Sequence, residues 1–402
     1  MADKENLGSD LQGLTRIVGE ATLGITNLVE TVHNRVVHPP HLPSSPIQRI
    51  ITGIAGITYK SVKLGTKAVS KSLDVLLTPL AAKLDEVGVR KDREVIRSVL
   101  NGVVGDYLEQ RENPLKITMQ FRKEGKAVRL DAESLSRSYP KANGKILLVV
   151  HGLCMNDLQW RRKGHHHGEE LAISLGKTLA SLHYNTGRHI SSNGQEFDAK
   201  LEQLLANWPV PVEELVIVAH SMGGLVTRSA LHYGSQKDRK WISHLKKVIF
   251  LGTPHHGASL ERLGNNVDTI LEAVPYAQPF ARLGKIRSAG ITDLRHGSIL
   301  DKDWRDKDRF DPQQDSREVV PLPKNIKCYS IAGALGKATD AVSTQLLGDS
   351  LVSVESAFGK HKDPKKDIGF EEENTWIAYQ TSHLDLLSSS EVYEKVRGYI
   401  LL

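Results

Sequence analysis

Leu215-Val216-Ile217-Val218-Ala219-His220-Ser221-Met222-Gly223-Gly224 reads as a buried strand, a one-residue turn and the opening of a helix. A continuously apolar run of this length suits a parallel strand covered by helices on both faces. The turn between strand and helix forces Ser221 into a strained backbone conformation and lifts its hydroxyl out of the fold. Strand and helix backbones nearly touch there, so the positions two before and two after the serine must be small. They are Ala219 and Gly223. Ala219 departs from the glycine of the G-x-S-x-G pattern, and alanine is the smallest side chain that can replace it. The competing reading is a serine that only caps the helix from Leu225 to Tyr233.

The sequence on either side argues against that simpler reading. Upstream, the apolar run Ile146 to Val150 ends in His151-Gly152-Leu153. A strand ending in His-Gly would aim the Leu153 N–H beside the serine. With the Met222 N–H it would form an oxyanion hole, supported by His151 and Gly152. His220 is the neighbour of the nucleophile on the strand side. Downstream, Val248 to Leu251 and Ile326 to Ala332 read as two more strands, and Gly194 to Asn207 reads as a helix. Alternating strands and helices predict a doubly wound, mostly parallel α/β sheet. Gly348-Asp349-Ser350-Leu351-Val352 follows the last of these strands, and Ser382-His383-Leu384 precedes the final helix. Ser221, Asp349 and His383 therefore occur in the order nucleophile, acid, base. In these roles His383 takes the Ser221 proton, Ser221 attacks an acyl carbonyl, and Asp349 fixes the imidazole tautomer. Asp340 and Asp367 compete as the acid but lack the Gly-Asp turn, and Asp385 is expected to cap the last helix.

Together LVIVAHSMGG, VIFLGTPHHGA, GDSLVSVESA and SHLDLL resemble the lipase and esterase branch of the α/β hydrolases, in particular the bacterial GPI inositol-deacylase-like lipases. Tyr184-Asn185-Thr186-Gly187-Arg188-His189-Ile190-Ser191 and a helical N-terminal extension add to the likeness. The resemblance covers residues 145 to 400 well and the first hundred only loosely. It implies the α/β-hydrolase fold and a triad carried onto Ser221, Asp349 and His383, and it does not assign a substrate. The expected organisation is a helical extension over 1–108 and a catalytic domain over 109–402. Within that domain, residues 258–323 form an inserted helical cap, because the stretch has no good strand and is too long for a plain connection.

Fifty-three basic against 47 acidic residues give a mild formal charge of +6. No dense basic stripe with interleaved aromatics suggests nucleic acid. Two cysteines, Cys154 and Cys328, exclude a disulfide framework and suit a reducing compartment. The N-terminus lacks the pattern of a signal peptide, and no apolar stretch reaches the ~18 residues that span a bilayer. A cytoplasmic enzyme without metal or organic cofactor is expected. His165-His166-His167 does not read as a metal site, because three adjacent histidines cannot all face one ion in regular structure. They are expected in solvent or on the rim of the cleft. Cys154 lacks the elbow context and reads as a small packed residue. Thr253-Pro254-His255-His256-Gly257 reads either as a wall of the acyl pocket or as a structural turn. Neither histidine is placed as the base, since both precede the acid.

The extension opens with apolar residues three or four apart from Leu11 to Val36, breaks at the proline-rich His38 to Pro46, and continues as a second helical stretch from Ile47 to about Leu84. Residues 47–73 contain five basic residues and no acid. At about 100° per residue Arg49, Lys60, Lys63, Lys67 and Lys71 share a sector of roughly 80°. Such a helix suits an anionic membrane surface, or it packs on the catalytic domain with its lysines in water. The expected activity is hydrolysis of carboxylic esters, lipid-like ones by preference. Acyl transfer on the same site and a membrane-surface scaffold with a vestigial hydrolase domain are the alternatives.

Overall fold

The computed structural model of the protein describes residues 90–258, 288–305, 317–338 and 348–402. The cationic helix over 47–73, the earlier helical stretch, Asp340 and most of the expected cap lie outside the described residues. The elements follow in chain order. They are α1 (Arg90–Gln110), β1 (Gln120–Lys123), β2 (Lys126–Ala127), α2 (Ala132–Ser138), β3 (Lys145–Val150), β4 (Arg161–Arg162), β5 (His165–His166) and α3 (His167–Ser174). Then come β6 (Thr178–His183), α4 (Ile190–Ala206), β7 (Glu214–His220), α5 (Met222–Gln236), α6 (Trp241–His244) and β8 (Leu245–Leu251). α7 (Ala289–His296), β9 (Lys327–Ala334), α8 (Val354–Ala357), β10 (Thr375–Tyr379) and α9 (Ser390–Leu401) complete the described chain.

Eight strands form one sheet in the order β10-β9-β8-β7-β3-β6-β1-β2. β10, β9, β8, β7, β3 and β6 run parallel, and β1 and β2 continue the sheet antiparallel. This is the α/β-hydrolase fold predicted from the sequence. The apolar runs divide their residues between two cores because alternate side chains point to opposite faces. Ile146, Leu148, Val150, Leu215, Ile217, Ala219, Val248 and Phe250 pack with α1, α4 and α5. Leu147, Val149, Val216, Val218, Ile249 and Leu251 pack on the other face with α3 and α9.

The four predicted strands are present, with β9 shifted slightly, to Lys327–Ala334. The nucleophile helix is longer than expected, and the helix placed at Gly194 begins at Ile190. β6, β1 and β10 were not predicted. Asp385 does not cap the last helix: Ser389 does, accepting from the Val392 N–H. Asp385 begins a separate 3-10 turn, Asp385–Leu387.

β3 continues to β6 on one side, while β7 lies on the other. The strand order thus reverses beside the C-terminal end of β3, the place where α/β sheets open a crevice for ligands. Helix α1 is built into this region. Val99, Leu100, Val103, Val104 and Leu108 are buried in the same core as β3 and β7. Arg122 of β1 pairs with Glu94 of α1 at 2.6 Å and with Asp157 at 3.2 Å. Gly187, in the turn before α4, marks the closest approach: a Cβ there would lie 2.1 Å from Asn101 O and 2.6 Å from Gly105 N. Both atoms are helix backbone and cannot turn away. Gly187→Ala is expected to cost about 1–3 kcal/mol through overpacking, read as a lowered midpoint in urea. A wild-type midpoint would mean that α1 is not held against this turn.

Candidate active site

Ser221 stands between β7 and α5 with φ 53° and ψ −126°. That is a backbone conformation that side chains other than glycine rarely adopt. Its N–H donates to Leu251 O at 2.8 Å, which ties the turn to the end of β8. The smallness required of its surroundings is visible in two contacts. A Cβ on Gly223 would lie 2.6 Å from His151 O and 2.7 Å from Val150 O, so α5 presses its first turn against the end of β3. A Cβ on Gly152 would lie 3.0 Å from Ser221 Cβ and 3.1 Å from His220 Nδ1. The His151-Gly152-Leu153 turn is therefore beside the serine, where the sequence places it.

The turn is held from below. The Tyr184 hydroxyl donates to His151 O at 2.9 Å, and the two rings stack at 4.5 Å. Burial pushes the His151 imidazole down to about 3, so it stays neutral as it packs. The Cys154 N–H donates to Thr186 Oγ1 at 3.2 Å. The YNTG block thus supports the His151-Gly152-Leu153 turn, a role the sequence alone left unassigned. Met222 is the first residue of α5, and N–H groups in a first helical turn have no acceptor within the helix.

Asp349 follows the end of β9 and lies against Gly333, whose Cβ would come within 2.8 Å of Asp349 Cβ. Its Oδ1 accepts from the N–H groups of Leu351 at 3.0 Å and Val352 at 2.9 Å. Its Oδ2 lies 2.7 Å from His383 Nδ1, and both residues are buried. The His383 N–H also donates to Asp349 O at 3.2 Å. The His383 ring lies over Gly252 and 4.8 Å from the His220 ring. His220 Nε2 donates to His383 O at 3.1 Å, which joins the end of β7 to the loop carrying His383. Burial, then the nearby His383, holds the His220 imidazole far below its ordinary range. Asp349 and His383 meet at the ends of β9 and β10, and Ser221 stands at the end of β7, tied through its N–H to the end of β8.

Of the two places expected for the three consecutive histidines, solvent and the rim of the cleft, the structure rules out solvent for two of them. His166 and His167 are buried rather than solvated. His167 Nε2 donates to Leu386 O at 3.0 Å, leaving Nδ1 as an acceptor for His165 Nε2 at 2.6 Å. Lys163 pairs with Asp385 at 2.7 Å, and Ser382 Oγ donates to the other Asp385 oxygen at 2.7 Å. The β4–β5 hairpin thus clamps the His383 loop. Among the described residues no group of three or more His, Cys, Asp or Glu could hold a metal ion. Cys154 is fully buried, and burial lifts its thiol to about 12, which suits packing and not nucleophilic chemistry. His255 Nδ1 lies 3.4 Å from Arg228 Nη1, and His256 Nε2 donates to Gly359 O at 2.8 Å, so neither is oriented by the acid. No described helix is long and apolar enough to cross a membrane.

Residues 141–321 match the PGAP1-like alpha/beta domain family. No curated relative matches the chain in sequence. Among solved structures it is similar to the mature lipase BlEst2 of Bacillus licheniformis, at 18% identity and TM-score 0.41 over 65% of this chain and 93% of that one. Aspergillus fumigatus lipase B matches at 11% identity and TM-score 0.39 over 94% and 83%. The Pyrococcus furiosus esterase Pf2001 matches at 14% identity and TM-score 0.36 over 64% and 80%. Residues 141–321 therefore match the PGAP1-like alpha/beta domain family, and the sheet has the α/β-hydrolase fold.

Proposed function

We propose that the protein is a serine hydrolase that cleaves carboxylic esters, preferably lipid-like, through an acyl-enzyme on Ser221. The observation that carries this reading is the 2.7 Å bond between Asp349 and His383, with the second carboxylate oxygen held by two backbone amides. A carboxylate only accepts, so His383 Nδ1 carries the proton and Nε2 is left as the base. His383 Nε2 takes the Ser221 Oγ proton as Oγ attacks the ester carbonyl. The negative oxygen of the tetrahedral species is stabilised by the N–H groups of Leu153 and Met222, typically worth a few kcal/mol. His383 then returns the proton to the leaving alcohol. Water, deprotonated by the same nitrogen, releases the acid and regenerates Ser221. The cationic face within residues 47–73 would bring the enzyme to an anionic lipid surface.

A fluorophosphonate provides the test, because it phosphonylates only an activated serine. The expected result is one adduct per chain, mapped by mass to the peptide containing Ser221. Labelling and hydrolysis of long-chain esters should accelerate on anionic vesicles and not on zwitterionic ones. An adduct elsewhere, or none while Ser221 is intact, removes the serine-hydrolase reading. Equal rates with and without anionic vesicles remove the interfacial one.

A further inference from the structure

Arg228 lies about two turns beyond Ser221 on α5, outside the triad and the oxyanion turn, with 5% of its surface exposed. Buried guanidinium groups are ordinarily paired with a carboxylate, because an uncompensated charge in the interior is costly. Arg228 donates from Nη2 to Val320 O at 2.5 Å and from Nη1 to His255 Nδ1 at 3.4 Å. Neither partner is charged, and among the described residues no carboxylate is in ion-pair contact with it. Of the nearby acids, Asp303 has a buried Oδ1 without a hydrogen-bond partner, and its charge acts on Arg228 from beyond ion-pair distance. Asp303 Oδ2 accepts from the N–H groups of Ile299 and Leu300, both at 2.9 Å. Glu318 pairs with Lys302.

His255 adds a second, independent demand. Arginine only donates, so His255 Nδ1 is the acceptor and the ring proton sits on Nε2. That nitrogen is buried and has no partner. A small cavity of about 20 Å³ is lined by Arg228, His255, His256, Arg317 and Lys366, with Glu318, which pairs with Lys302, also on its wall. A water-sized occupant needs roughly 10–15 Å³. The cavity therefore takes one small group, not a lipid or a nucleotide. Burial, then the charge of Arg317, pushes the Arg228 guanidinium down to about 10, against the opposing influence of Cys328 and Asp303.

We propose that this cavity binds one small monovalent anion, chloride or the carboxylate end of an organic acid, with the guanidinium of Arg228 and the imidazole of His255 as donors. The anion neutralises the buried charge and gives His255 its acceptor. It also fastens the nucleophile helix to two neighbouring pieces of chain, the turn after β8 and the returning segment at Val320.

Thermal unfolding of the full chain at matched ionic strength tests the proposal with sodium chloride, sodium acetate and sodium gluconate, the last too large for the cavity. A saturating rise in midpoint with chloride or acetate and not with gluconate is expected. The stronger of the two identifies the natural class of occupant. Arg228→Met, of similar length, should abolish the difference between salts. Because that variant could fail to fold, crystals of the wild type soaked in bromide give a second reading, an anomalous peak between Arg228 and His255. Midpoints that follow ionic strength alone, together with no bromide peak at Arg228, overturn the proposal.

Discussion

Asp349→Asn is expected to lower kcat by about 10⁴-fold without unfolding the protein. The size of the loss follows from an orientation the fold imposes on the amide. Two backbone N–H groups, of Leu351 and Val352, point at one oxygen of residue 349. An asparagine must keep its carbonyl oxygen there, since the alternative rotamer sets an NH₂ against two donors. Its NH₂ is then forced toward His383 Nδ1, 2.7 Å away in the wild type. Imidazole can meet that donor only with Nδ1 unprotonated, so the proton moves to Nε2, the atom that must accept from Ser221. The variant keeps its shape and holds the wrong tautomer. Hydrolysis of a soluble ester and the rate of fluorophosphonate labelling should fall together, with the thermal midpoint little changed. Asp385→Asn is the matched control. Its carboxylate faces Lys163 and Ser382, so it should cost less than about tenfold. A small loss at Asp349 and a large one at Asp385 would reverse the assignment of the acid.

How much of this was legible in the sequence depends on how local each signal is. The elbow is a local pattern: six apolar residues, a serine and two glycines fix strand, turn and helix within one stretch. β3, β8 and β9 are legible for the same reason, being apolar on both faces. β6 and β10 escaped because Thr178, Ser181 and His183 interrupt the first, and Thr375 to Tyr379 are mostly half-buried at the sheet edge. The partners of the His151-Gly152-Leu153 turn were not legible either. Nothing in YNTG states that Tyr184 will reach the carbonyl of His151 or that Thr186 will meet Cys154. Those contacts exist only once β3 and β6 are adjacent. The burial of His166 and His167 failed for a related reason, since three histidines in a row look hydrophilic until a hairpin folds them under the His383 loop.

The same buried histidines set the second large expectation, a steep loss of stability in mild acid. His151, His167, His183, His220 and His255 are buried and held neutral. Burial pushes His151 to about 3 and His167 to about 4, and drives the other three well below the ordinary value of 6.5. The sign follows from proton counting. As pH falls below about 6.5, these side chains take up protons in the unfolded chain but not in the folded one. The unfolded state therefore binds more protons, and the free energy of unfolding falls with pH. For His167 the loss runs from about 6.5 down to 4, below which both states are protonated. Each such histidine contributes up to about 1.4 kcal/mol per pH unit, and the five together up to ~7 kcal/mol per unit. Set against a typical total stability of about 5–15 kcal/mol, a slope of that order is enough to unfold the chain in mild acid. Urea midpoints at a series of pH values from neutral downward check it, and they should fall steeply through this window. His183→Leu, which removes a ring that makes no hydrogen bond through either nitrogen, should flatten the slope by the equivalent of one proton. A midpoint that stays level across the window would mean that these imidazoles gain protons in the folded state, and that the neutral packing around His151 and His220 is not what holds the His151-Gly152-Leu153 turn and the end of β7 in place.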